Sequence, residues 1–227
     1  MINRINVYIG KKLYIYYKGV KKMGSQNHTE VKITTADPSA LGLFGLAMVT
    51  LVASSQKLGL TDGLSLILPW AFFLGGIAQL IAAMLDAKHN NIFGTTAFGA
   101  FGLFWFGVGT TWLIQMGVFG ETLLAYADSR QLGVAFIGYL IFSLFMTVGA
   151  LETNKVLFYI FVCIDFLFIG LSLSTFGIMY EFTSMLAAIS ELAIALLSFY
   201  GAAAIVLNTH FGKVVLPNGK PFGIFKK

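Results

Sequence analysis

The chain has 227 residues, of which 57% are hydrophobic and only 11% charged, with a formal net charge of +5 and a mean hydropathy of +0.81. A soluble domain carries about 25% charged residues, so this composition excludes a soluble globular fold. The positive balance does not mark a nucleic-acid partner either, because the basic residues are confined to the tails and to short turns between apolar runs.

Six apolar stretches follow one another after Asp37. A helix rises about 1.5 Å per residue, so about 20 apolar residues cross a hydrocarbon core of about 30 Å. The spans are predicted at Ser39–Lys57, Leu64–Asp86, Thr95–Phe119, Leu132–Leu151, Val156–Phe176 and Thr183–Leu207. The expected fold is therefore all-α and integral to the membrane. If the N-terminus is cytoplasmic, every one of the 15 Lys and Arg residues except Lys57 and Arg130 falls on the inner side. That positive-inside pattern puts both termini in the cytoplasm and the protein in the cell membrane as a multi-pass chain.

In chain order, residues 1–36 form a cytoplasmic tail with no continuous apolar core, hence no signal peptide. Within it Lys11–Lys22 alternates Lys with Tyr, Leu and Ile and could lie on an anionic inner leaflet. The reading favoured here takes Met23 as the natural start and residues 1–22 as an upstream extension. The membrane domain, 37–212, opens at Asp37-Pro38, where Asp caps the first amides and Pro tolerates the first helical position. Thr61-Asp62-Gly63 is an outer turn, Lys88–Gly94 a short inner loop and Gly120–Gln131 an outer loop. Glu152–Lys155 is so tight a turn that spans four and five must be antiparallel neighbours. Trp70 and Trp112 fall near the outer interface. A second cytoplasmic tail, 213–227, closes the chain.

The 25 glycines, five of them in Gly94–Gly109 and two as Gly75-Gly76, belong on helix–helix contacts. Small residues let backbones approach in lipid, where burial of apolar area no longer drives association. No metal-binding His-Glu-x-x-His, no paired cysteines and no phosphate-cradling loop occurs; Cys163 is single and reads as a small core residue. The chain is read as neither an enzyme nor a metal or cofactor protein. Intramembrane polar residues are the better lead, since charge there is costly and usually functional. Asp165 lies mid-way along span five and Glu191 in span six, with Thr50, Gln79, Gln115, Thr147 and Ser198 as neutral polar groups at span depth. Asp165 is open to two readings, a pathway acid or a hydrogen-bonded packing residue; Glu191 is expected to snorkel outward. Asn91, Thr95 and Thr96, at the start of span three, supply donors for an anion at a helix N-terminus.

Three segments together resemble the acetate transporter family of bacterial succinate–acetate permeases and fungal acetate transporters. They are DPSALGL at Asp37–Leu43, the stretch from GGIAQ (Gly75–Gln79) to NIFGTTAFGAFGLFW (Asn91–Trp105), and FGKVVLPNG at Phe211–Gly219. The resemblance implies a six-helix protomer of a hexameric ring, each protomer with its own path for acetate and related small carboxylates. It also implies an apolar constriction, which a gapless carry-over puts at Leu46, Phe101 and Ile164. Relatives commonly carry Phe at the first of these positions and Tyr at the second, so this constriction lacks one aromatic ring and one hydroxyl. Ser198 matches a small-residue position resembling a selectivity determinant, and Asp37 stands where the family has Asn.

The functional expectation is passage of acetate, with succinate as a second substrate. The remaining pathway candidates are Asp37, Gln79, Asn91, Thr95, Thr96, Asp165 and Ser198, and the partners are membrane lipid and further copies of the chain. Two rival readings stay open: a pore for ammonium or water, and a membrane sensor or scaffold without flux. The topology is testable. A cysteine at Ser129, with Cys163 removed, should react with an impermeant reagent in intact cells, and reaction only after permeabilisation would invert the orientation.

Overall fold

The computed structural model describes residues 4–9, 12–17 and 36–225. Contacts divide the chain into two units, Met1–Thr34 and Thr35–Lys227. In the first, β1 (Arg4–Ile9) pairs antiparallel with β2 (Lys12–Tyr17), Arg4 opposite Tyr17 and Ile9 opposite Lys12. An all-α expectation did not include this hairpin. Within the segment read as lying on the membrane surface, Tyr14-Ile15-Tyr16-Tyr17 is an aromatic and β-branched run, a composition that favours a strand. Met23, the expected start, lies outside the described residues.

The second unit is helical. Its elements are α1 (Ser39–Lys57), a second span over Trp70–Lys88, α3 (Ile92–Gln115), short α4 (Glu121–Ala125), α5 (Ser129–Ala150), α6 (Lys155–Thr175) and α7 (Tyr180–Phe211). All but α4 are long and apolar enough to cross a membrane, which makes six. The second span begins at Trp70 and not at Leu64. Leu64–Ile67 is a turn closed by the Ile67 amide on the Leu64 carbonyl at 3.0 Å, and Pro69, which has no N–H to give, sits ahead of the first helical residue. Span three starts earlier than expected because the Asn91 side chain caps it. The last helix has 32 residues, about 48 Å at 1.5 Å per residue, and so overruns the bilayer core.

Helix neighbours follow the chain. α1 packs on the second span and α7, the second span on α3, α7 on α6, and α6 on α5. The ring of six would close between α3 and α5, where packing is sparsest. Val49, Ile160, Phe168 and Ile194 form the dry centre.

The second span is itself in two parts, a π-helix over Trp70–Ala78 followed by α2 over Gln79–Lys88. π winding is rare and appears mostly as single turns, yet here it runs for nine residues. It is clamped on both sides by glycine. A methyl group on Gly45 of α1 would strike the Leu74 carbonyl. On the other side a Cβ at Gly102 of α3 would lie 3.1 Å from the Gly76 carbonyl, and one at Gly75 would meet the Trp105 ring at 2.6 Å. The α6–α7 crossing is equally tight, since a Cβ at Gly170 would lie 2.7 Å from the Thr183 carbonyl and 2.8 Å from the Ala187 nitrogen. Not every glycine serves this purpose: Gly107 and Gly138 have nothing within 4 Å of where a Cβ would stand.

These two classes should separate on substitution. Gly170→Ala presses a methyl group against backbone that cannot yield, and should destabilise by about 1–3 kcal/mol. Gly138→Ala meets nothing and should stabilise by up to about 1 kcal/mol through helix propensity. Thermal denaturation in mild detergent measures both, and equal effects would refute the packing assignment.

Candidate functional site

Three helices begin at one end of the bundle, and each start carries an Asx residue. In α1 the Ser39 amide donates to Asp37 Oδ1 at 2.9 Å. In α3 the Gly94 amide donates to Asn91 Oδ1 at 3.1 Å, and in α6 the Leu157 amide donates to Asn154 Oδ1 at 2.9 Å. Asp37, Asn91 and Asn154 all line a single cavity of about 340 Å³. Unpaired amides and aligned peptide dipoles make a helix N-terminus equivalent to roughly half a positive charge. Three starts around one cavity therefore favour an anion without any Lys or Arg among its lining residues.

Inward from these starts the walls turn apolar, with Leu43, Phe98, Ala97 and Phe161. The deepest lining residue on α1 is Leu46, on α3 Phe101 and on α6 Ile164. Their exposures are 7%, 5% and 3%. Phe101 lies nine residues beyond Ile92, about 14 Å along the axis and so close to mid-bilayer. Phe101 is wedged in an aromatic cluster, with its ring 6.4 Å from Phe168 and nearly parallel to it, and 6.1 Å from Phe161.

Gln79 contributes the one polar group at depth among the lining residues. It is fully buried. Its Nε2 donates to the Gly75 carbonyl at 2.9 Å, which fixes the amide orientation. Oε1 has no partner, so the group left over is an acceptor. Asp86, expected only as the end of the second span, is also buried. It accepts from Asn91 Nδ2 at 2.9 Å and packs its second oxygen on Gly94, so it braces the start of α3.

The C-terminal segment is no free tail. Asn208 near the end of α7 accepts from the Val215 and Leu216 amides at 2.6 and 3.0 Å. The Tyr200 hydroxyl donates to the Pro217 carbonyl, and the Val156 amide donates to the Asn218 carbonyl. Farther on, Phe222 meets the Phe158 ring edge to face at 5.0 Å. This fold-back brings Asn218 into the cavity lining and accounts for the Phe211–Gly219 motif.

Of the residues singled out by sequence, Asp37, Leu46, Gln79, Asn91, Phe101 and Ile164 meet at this cavity. Thr95, Thr96, Asp165 and Ser198 are not among its lining residues. Thr95 and Thr96 lie 100° and more around α3 from the lining face: Thr96 is exposed, and Thr95 Oγ1 is buried without a partner. Asn91 gives one amide hydrogen to Asp86 and its oxygen accepts from the Gly94 amide, so it positions the helix start and keeps one N–H donor for the cavity. Asp165 turns toward α5, where Oδ1 accepts from Ser143 at 2.5 Å and Oδ2 from Thr147 at 2.7 Å. Ser198 is fully buried, and its hydroxyl has no partner. Glu191 does not snorkel. It is buried and paired with Lys57 at 2.8 Å. Sequence reading missed Phe98, Asn154 and Asn218. The first carried no signal beyond its place in an apolar helix, whereas the Asn154-Lys155 start followed the same capping logic as Asn91.

The GPR1/FUN34/yaaH family model matches residues 20–220. The succinate-acetate/proton symporter SatP of Escherichia coli strain K12 is 31% identical over 189 residues, which cover 82% of this chain and 96% of that one. Ammonia transport outward protein 2 of Saccharomyces cerevisiae is 31% identical over 149 residues, covering 62% of this chain and 51% of that one. Among solved structures, the bacterial acetate channel SatP superposes with a TM-score of 0.76 at 31% identity, over 82% of this chain and all of the other. With six membrane-length helices and a match across nearly its whole length, the chain is a multi-pass membrane protein that belongs to the GPR1/FUN34/yaaH family.

Proposed function

We propose that the protein carries acetate and related small carboxylates across the cytoplasmic membrane, through a passage within each protomer of a hexameric ring. Both termini face the cytoplasm, and the cavity at the starts of α1, α3 and α6 is the inner vestibule. The observation that carries this reading is the pairing of three helix N-termini at the mouth with the apolar trio Leu46, Phe101 and Ile164 at depth, in one cavity of about 340 Å³. Acetate is amphipathic in the same sense. Carboxylic acids ionise near pH 4, so its charged end suits the helix starts while its methyl group suits the trio. Similarity to the symporter and the acetate channel supports the same substrate class. Succinate, with a second carboxylate, fits the mouth more readily than the trio.

A second reading is ammonium or ammonia, which the buried acceptor Gln79 Oε1 would suit and the name of the yeast relative favours. That acceptor also suits the proton of an uncharged carboxylic acid. Uptake of radiolabelled acetate and of methylammonium into proteoliposomes, with and without an imposed pH gradient, separates the two. Acetate uptake that ammonium does not inhibit is expected, and uptake of methylammonium alone would replace this reading.

Two substitutions probe the passage. Phe101→Ala removes the largest side chain of the trio, at a cost of about 3–5 kcal/mol in stability. It should raise lactate uptake relative to acetate uptake above that of the unsubstituted protein. Unchanged selectivity would remove Phe101 from the constriction. Asp165→Asn should leave the pH dependence of acetate flux unchanged, because both carboxylate oxygens are taken up by α5. A flattened pH profile would restore Asp165 to the passage.

A further inference from the structure

A second cavity of about 390 Å³ opens between α3, α4 and α5, at the end of the bundle opposite the three helix starts. Its rim is polar, with Thr111, Gln115, Ser129 and Gln131, and its floor is Phe104, Phe136 and Tyr139. Phe104 stands one helical turn from Phe101, the deepest α3 residue of the inner cavity. The two cavities are thus separated by one layer of rings. The Tyr139 ring stacks on Phe168 at 5.6 Å and on Phe101 at 6.3 Å, while Phe104 meets Phe168 edge to face at 5.3 Å.

We propose that this second cavity is the outer vestibule of the passage, and that Tyr139 is the swinging element of the partition between the two. The proposal rests on the carboxylate-passage reading above. The α3 and α5 backbones stand farthest apart in the ring, and rings of Phe101, Phe104, Phe136, Tyr139 and Phe142 fill the gap between them, so a ring there can rotate without prying apart close-packed backbones. Tyr139 is only half-buried, and its hydroxyl is latched by one hydrogen bond to the Ala100 carbonyl at 3.0 Å. A carboxylate is a stronger acceptor for that hydroxyl than a carbonyl, so an arriving anion can take the donor from Ala100 and move the ring. The constriction trio supplies no hydroxyl of its own; Tyr139 brings one to its edge from α5. At the outer mouth Asp128 is neutralised by Arg130, whose Nη2 donates at 2.7 Å and whose Nε donates to both carboxylate oxygens at 3.0 Å. The one acid in the lining therefore does not repel an entering anion.

Gly107 gives the sharpest test, since it lines this cavity and a Cβ there meets nothing within 4 Å. Gly107→Phe should fill the vestibule without disturbing the fold. Gly138→Phe, equally unobstructed but outside the cavity lining, is its control. In proteoliposomes acetate flux should fall about tenfold or more in the first, the loss expected from about 1.4 kcal/mol or more of added barrier, and stay near the starting value in the second. Gly107→Phe with undiminished flux would overturn the outer vestibule and leave the groove to lipid or a neighbouring protomer. Should Gly107→Phe fail to fold, Thr111→Cys in a Cys163→Ser background decides. Its modification by a charged thiol reagent should block flux, and full modification without block would overturn the proposal. For the partition, Tyr139→Phe should raise the half-saturating acetate concentration, and an unchanged value would overturn the role of the hydroxyl. Absence of acetate flux in the unsubstituted protein would instead refute the function itself, so the two failures are distinguishable.

Discussion

At Gly45 of α1 and Gly102 of α3 there is no room for a side chain against the backbone of the second span, and this steric limit sets how closely the three helices stand. Gly45 presses on the Leu74 carbonyl from one side and Gly102 on the Gly76 carbonyl from the other. In lipid such proximity is what holds helices together, since apolar area gains nothing by leaving one hydrocarbon phase for another. The π winding of Trp70–Ala78 is held within this clamp. Gln79 comes directly after it, bonded back to Gly75 and directed at the inner cavity. α3 thus meets the second span backbone to backbone, whereas its other side meets α5 through the rings of Phe101, Phe104, Phe136 and Tyr139.

An anion in the inner cavity would meet oriented backbone and no Lys or Arg among the lining residues. Helix starts capped by Asp37, Asn91 and Asn154 provide a permanent partial positive charge, weaker than the full charge of a lysine or arginine. Conduction requires a site that is favourable to enter and weak enough to leave. A lysine or arginine at the constriction would satisfy the first condition and fail the second. The cost of this design is that Asp37 and Asp86, both acidic, stand close to the mouth. Asp86 is kept from the cavity by its bond to Asn91 and its packing on Gly94.

The six spans were legible because membrane crossing is a matter of length and hydropathy, and a bilayer leaves few alternatives. Leu46, Phe101 and Ile164 came from motif resemblance; nothing in the composition of an apolar helix distinguishes Phe101 from Phe106, which faces the second span and not the cavity. Side-chain direction defeated the reading elsewhere. Asp165 is adjacent to Ile164 in sequence, but a helix turns by about 100° per residue, and that rotation carries it from the cavity wall to the hydroxyls of Ser143 and Thr147. The N-terminal hairpin was missed because, in a membrane protein, lysines flanking the aromatic run Tyr14–Tyr17 point to an inner-leaflet segment before they point to a strand. The π winding and the folded-back tail depend on contacts distant in sequence, which no local pattern records.

The pair formed by Lys57 and Glu191 has a consequence for how the protein is made. The two residues are 134 positions apart, at the end of the first span and within the last. Ribosomal synthesis delivers α1 to the bilayer long before α7 exists, so Lys57 must wait at the lipid surface, where its long stem lets the ammonium reach water. Glu191 has no such reach from within α7. Its helix enters hydrocarbon carrying a carboxylate whose partner is already in place, and leaving such a pair broken costs about 3–5 kcal/mol. The pair therefore acts as a clasp that rewards closure of the bundle only when the final helix arrives. Until α7 is in place, the ammonium of Lys57 has no Glu191 to meet.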